Sequence, residues 1–118
     1  MGLNVYNILC TNSNQYGSYL IINDNTQICW GTATYAISSW DEWGYCYEGA
    51  PGVTIVFPRA FSTTPHVFLT ALTSTNACTG VEWASANVNG IFGCYVIRPT
   101  TGSLPSTAYI DWFAIGSP

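Results

Sequence analysis

Between residues 52 and 72 the chain reads GVTIVFPRAFSTTPHVFLTAL, two alternating runs separated by a break. Val53, Ile55 and Phe57 alternate with Thr54 and Val56, the two-residue period of a pleated strand with one apolar face. Pro58 has no backbone donor to give a ladder and ends the first run. Residues 62–65, STTP, supply a polar corner. In the second run Val67, Leu69 and Ala71 alternate with Phe68, Thr70 and Leu72, which leaves little polar surface on either face. The core is expected to form around these two strands.

The same period recurs on both sides of this centre. Residues 18–22, SYLII, and 26–34, TQICWGTAT, read as a hairpin around the turn cluster Asn23-Asp24-Asn25, since Asn and Asp tolerate left-handed geometry. Gly31 marks a bulge or a close approach of another group. Residues 81–87, VEWASAN, and 91–98, IFGCYVIR, read as strands joined by the Asn-Gly signal at residues 87–90. Residues 108–116, AYIDWFAIG, form the last strand. Polar turns are expected at 74–80 and 99–106. Residues 35–51, with their Gly, Ser and Pro, read as a long loop, and residues 1–16, rich in Asn, Ser and Thr, as a linker or the end of a stalk. No stretch carries a capped helical period. Residues 17–118 are therefore expected to form one all-β domain, a sandwich or barrel.

Composition narrows what such a domain can bind. Only 7% of the residues are charged, while 15% are aromatic. So few charges on so apolar a chain imply surface that does not face water, at an oligomer interface or a ligand site. The formal net charge is −4, and Arg59 and Arg98 are the only cations. Two arginines cannot build the basic patch that a nucleic-acid partner needs. No apolar run approaches the ~20 residues of a membrane span, so membrane insertion is not expected.

The aromatic stretch at 35–51 is the candidate ligand site. Trp40, Trp43, Tyr45 and Tyr47 are interleaved with Asp41, Glu42 and Glu48. Sugars present C–H faces that stack on aromatic rings and hydroxyls that pair with carboxylates, so this mixture suits a glycan. The same rings also suit a buried cap or a subunit interface. Arg98, at a strand exit, is the best single donor to a sugar hydroxyl or carboxylate. His66 has no acidic or cysteine neighbour and reads as structural. Asp111 reads as an exposed edge residue or as one neutralised by Arg59 or Arg98. No nucleophile, zinc-protease or phosphate-loop motif is present, so the chain reads as non-enzymatic, and no cofactor is expected. The five cysteines form no C-x-x-C pair and no metal is expected. They fit buried thiols or one disulfide with at least one thiol left over.

Several of these pieces resemble one family. VTIVFPRAFSTTPHVFLTAL, GIFGCYVIR and YIDWFAIG resemble, in order, core strands of the H-type lectins, and QICWG is similar to their first cysteine-bearing strand. SYLIINDNTQICWG, VFPRAF and WFAIG are closer still to the receptor-binding tip domains of bacteriophage tail fibres, which use the same fold. The resemblance implies a six-stranded antiparallel β-sandwich, a parallel homotrimer, and Cys29 and Cys94 joined as an intrachain disulfide. It implies a non-enzymatic domain on the virion, at the tail-fibre tip, or outside the cell, whose partner is a cell-surface glycan or other host receptor. The family's acidic sugar ligand falls near Cys46 here, and its histidine near Arg98, so the family's sugar preference does not carry over. The expected site is Trp40, Asp41, Glu42, Trp43, Tyr45, Tyr47 and Arg98. Two neighbouring readings use the same fold: a secreted lectin, and a trimerisation cap that binds nothing.

Overall fold

The computed structural model describes residues 8–23, 25–73, 80–99 and 105–118. Most of the expected turn at 74–80 and of the loop at 99–106 lies outside these residues, as do residues 1–7 of the expected linker. The described residues form eleven strands in chain order: β1 (Ile8–Asn14), β2 (Gly17–Ile22), β3 (Thr26–Ala36), β4 (Ser39–Trp43), β5 (Cys46–Ala50), β6 (Val53–Val56), β7 (His66–Thr73), β8 (Gly80–Glu82), β9 (Ser85–Ala86), β10 (Gly90–Arg98) and β11 (Thr107–Gly116). They make two antiparallel sheets with no helix among them, so the all-β sandwich holds, with more and shorter strands than six.

The first sheet runs β1-β2-β3-β11-β7. Its spine is β3 paired with β11 from Thr107↔Ala36 to Gly116↔Gln27 without a break. Gly31 is therefore no bulge. It lies opposite Trp112, where a Cβ would sit only 3.0 Å from the indole, so glycine makes room for the ring. Residues 8–14, expected to be linker, instead pair with β2 and form the sheet's edge. Their alternation is too polar to announce a strand, but an edge strand needs no apolar face.

The second sheet is organised around β10. Ile97 pairs with Glu48 of β5 and with Gly80 of β8, while Ile91 pairs with Ile55 of β6 and with Ala86 of β9. Each edge of β10 is thus covered by two short strands lying end to end. The expected single strand at 81–87 is split because Trp83 and Ala84 leave the ladder opposite the irregularity at Gly93, whose φ is +67°. β6 ends before Pro58, as the missing donor requires, and the Phe57 amide turns instead to the Asn89 carbonyl at 2.9 Å.

Between the sheets, Ile91 and Ile110 are fully buried and Phe57 meets Phe61 edge-on at 5.1 Å and Trp112 at 5.7 Å. Each such aliphatic side chain contributes roughly 2–3 kcal/mol on leaving water. Gln27, the one buried side-chain amide among the described residues, is fully used. It donates to the Arg59 and Ala60 carbonyls at 2.9 and 3.3 Å and accepts from the Arg59 guanidinium. This clamps the Pro58–Ala60 segment onto β3.

The implied disulfide is not present. Cys29 and Cys94 are fully buried free thiols, one in each sheet. Each is engaged locally: Cys29 with the Arg59 carbonyl at 3.7 Å, Cys94 with the Ile91 carbonyl at 3.6 Å. Burial pushes both thiols up to about 11, so both stay protonated at neutral pH.

Candidate binding surface

The aromatic stretch is a hairpin rather than a loop. β4 and β5 pair from Ser39↔Ala50 to Trp43↔Cys46 around the turn Gly44-Tyr45. Gly44 has φ +61°, the left-handed value that a type II′ hairpin needs at its first central residue. The sequence hid this because the alternation is between aromatic and acidic residues, not between apolar and polar ones.

Pairing sorts the expected site residues onto two faces. Glu42 lies opposite Tyr47, and Tyr47 opposite Arg98, so these three form one row across β4, β5 and β10. Trp40 stands next to that row. The Arg98 guanidinium carbon lies 5.7 Å from the centre of the Trp40 ring, and the indole N–H donates to the Pro105 carbonyl at 3.3 Å. Arg98 is only 8% exposed, so it is a packed partner of Trp40 and not a displayed donor. Asp41, opposite Glu48, and Trp43, opposite Cys46, are on the other face. The exposed members are Asp41, Glu42, Trp43 at 50% and Tyr45, fully exposed at the turn. The hairpin thus has a packed base of Trp40, Tyr47 and Arg98 and a displayed tip of Asp41, Glu42, Trp43 and Tyr45.

The hairpin is held to the sheet in three ways. The first is its pair of register contacts with β10, Ile97↔Glu48 and Arg98↔Tyr47. The second is Tyr35, buried on β3 of the facing sheet. Its hydroxyl donates to the Gly49 carbonyl at 2.7 Å and accepts from the Val96 amide at 3.0 Å. One step further along the register, those two backbone groups would have bonded each other, so the phenol oxygen sits inside the ladder. The third is Glu82 on β8, hydrogen-bonded to Glu48. Burial, then that bond and the repulsion of Glu48, push the Glu82 carboxyl up to about 7. No sequence pattern could show this pair, because it depends on both strands flanking Ile97. The two carboxyls touch, whereas a glycosidase pair stands ~5 Å or more apart. Among the described residues, no three His, Cys, Asp or Glu side chains are grouped as a metal ion requires.

A second surface lies on the opposite side of the sandwich. On the outer face of the first sheet, Trp30, Phe113 and Phe68 stand side by side across β3, β11 and β7. Tyr109 and Leu72 form a neighbouring pair, and Phe68 and Leu72 are 59% and 58% exposed. Asp111 is the only charged side chain among them in β3, β7 and β11 apart from the lone histidine. It accepts from the Thr32 hydroxyl at 2.6 Å rather than from an arginine. The low polarity of residues 67–72 on both faces was the signal for this surface.

No family model and no curated protein matches this chain. Solved structures do. The P. aeruginosa R1 pyocin fibre comprising C-terminal residues 323–701 matches with a TM-score of 0.63 at 19% identity, over 92% of this chain and 28% of that one. An N-truncated R1-type pyocin tail fibre matches with a TM-score of 0.62 at 19% identity, over 92% of this chain and 86% of that one. The fold is therefore that of a domain found in phage-tail-like fibres, in line with the resemblance of SYLIINDNTQICWG and WFAIG to tail-fibre domains.

Proposed function

We propose that this chain is the distal receptor-binding module of a tail fibre, non-enzymatic and trimeric, which contacts host-surface glycans through the tip of the β4–β5 hairpin. The observation that carries this reading is the tip itself. Trp43 and Tyr45 are displayed in water beside Asp41 and Glu42 at the end of a rigid sandwich, with no packing role that accounts for them. Exposed rings flanked by acceptors suit the C–H faces and hydroxyls of a sugar. Recognition commonly sits on such protruding turns. The tail-fibre fold supports a place on a virion or a phage-tail-like particle.

Self-association uses the outer face of the first sheet, and the occupant is a second copy of this chain. That face is apolar, and its one carboxylate, Asp111, accepts from the Thr32 hydroxyl, so little charge has to leave water when copies meet. A weak single site gains avidity from threefold display. The second reading, a trimerisation cap without a ligand, draws on this same face but leaves the displayed tip unexplained.

The test is a glycan array and whole candidate host cells probed with the native chain and with Trp43→Ala/Tyr45→Ala. Binding by the native chain that the variant loses supports recognition at the tip. A folded oligomer that binds neither glycans nor cells favours the cap. A light-scattering mass of one chain at micromolar concentration would overturn the trimer.

A further inference from the structure

The sandwich has an opening on its side, far from the hairpin. It is a groove of about 170 Å³ whose lining includes Gln15, Tyr16, Ala33, Thr54, Ile55 and Trp112. β2 ends its pairing with β3 at Ser18↔Trp30, so the half of β3 beyond Gly31 has no strand on that side. β6 is the edge strand of the other sheet. The groove lies where these two strand edges face each other, and the Gln15-Tyr16 turn closes one end.

Three features make this a built site and not a packing gap. First, the turn is anchored: the Asn14 amide donates to the Pro58 carbonyl at 3.1 Å, and its oxygen accepts from the Tyr16 amide at 2.8 Å. That fixes Tyr16, which is 47% exposed, as a wall. Second, Trp112 lines the groove and is 96% buried, yet its indole N–H makes no hydrogen bond to a described residue. A tryptophan buried to this degree usually has a partner for that donor. Third, the lining mixes an aliphatic floor, Ala33 and Ile55, with an amide and hydroxyls, and no charged residue is part of it.

We infer that this groove binds one neutral sugar residue, with an oxygen of the ligand accepting from Trp112 Nε1–H and its C–H face against Tyr16. The space equals that of roughly six water molecules, which suits a single hexose-sized ring. A neutral polyol supplies the acceptor that the indole lacks and hydroxyls for Gln15 and Thr54. A charged ligand would find no counter-charge here. The site is separate from the hairpin. β6 pairs with β10 at Ile91 and the hairpin pairs with it at Ile97, a separation of ~20 Å along the strand.

The experiment is an NMR titration of the ¹⁵N-tryptophan-labelled chain with neutral hexoses, 6-deoxyhexoses and N-acetylhexosamines, each taken to about 50 mM, above the ~1 mM Kd of a weak single site. The expected result is a saturable shift of the Trp112 indole cross-peak with at least one sugar. It should be unchanged in Trp43→Ala/Tyr45→Ala and weakened about fivefold or more in Tyr16→Ala, which removes the exposed wall without touching the core. A Trp112 cross-peak that stays still across the panel overturns the inference. So does a shift that Tyr16→Ala leaves intact, or one that vanishes in the tip variant. Shifts confined to Trp40 and Trp43 would support the hairpin reading and overturn this one.

Discussion

Replacing Tyr35 by phenylalanine removes one oxygen and tests how the β4–β5 hairpin is joined to the domain. Tyr35 is 8% exposed, and its hydroxyl serves two backbone groups, the Gly49 carbonyl and the Val96 amide. The ring keeps its packing, so the cost is that of two buried polar groups losing their partner. Each such orphan costs ~1–3 kcal/mol. Partial closure of the ladder across the gap recovers some of this, so the expected loss is about 3 kcal/mol. In urea, at an m-value of about 1.5 kcal/mol/M, that is a midpoint lowered by about 2 M. Native chain and variant must be compared at one protein concentration, because the proposed self-association would add to apparent stability. Amide exchange gives the local readout: Val96 should lose protection in the variant before the amides of β11 do. A loss below ~0.5 kcal/mol, with Val96 still protected, would show that β5 and β10 pair directly and that the inserted hydroxyl is dispensable.

Three further outcomes are expected. Glu82 has a folded-state value raised to about 7, so its contribution to stability is whole below about 4.5 and is lost as the pH rises through about 7. Glu82→Gln should therefore match the native chain in Tm near pH 4 and exceed it at pH 8. A gap that widens on acidification would contradict the shared-proton pair. Gln27→Leu orphans the Arg59 and Ala60 carbonyls and should cost ~2–3 kcal/mol in denaturant unfolding, despite adding apolar volume to the core. Phe68→Glu places a carboxylate in the exposed aromatic row and should lower the mass seen in sedimentation equilibrium without altering the far-UV circular dichroism. An unchanged mass would remove the first sheet's outer face as the contact between copies.

Much of the fold was legible because most strands bury one face. The runs at 53–57, 67–72, 91–98 and 108–116 carry the period-two pattern in apolar side chains, and each appears within a residue or two of where it was expected. The failures share a cause. β1 lies at an edge, and β4 projects exposed side chains, so neither needs an apolar face, and without one there is no pattern to read. The candidate site was legible as a set of residue types but not as a geometry. Composition could not tell that Arg98 would lie beneath Trp40, nor that Trp43 and Tyr45 alone among the aromatics of the hairpin would face water. The Glu48–Glu82 pair and the groove under the Gln15-Tyr16 turn are products of strand order, which a single chain does not spell out. The disulfide failed because two buried cysteines in facing sheets can each be satisfied by a nearby carbonyl, and burial alone does not require a bond between them.

The way the hairpin is attached bears on how freely its tip can vary in sequence. Two register pairs, one phenol oxygen and the Glu82–Glu48 bond join β5 to the rest of the domain, and none of them involves residues 41–45. Substitutions at the tip therefore leave every anchoring contact in place, and the core neither helps nor hinders them. Asp41, Glu42, Trp43 and Tyr45 are free to vary while the scaffold stays under separate constraint, and Gly44 is held by its left-handed φ. Lineages sharing this fold would then diverge fastest at the tip and slowest around Tyr35 and β10.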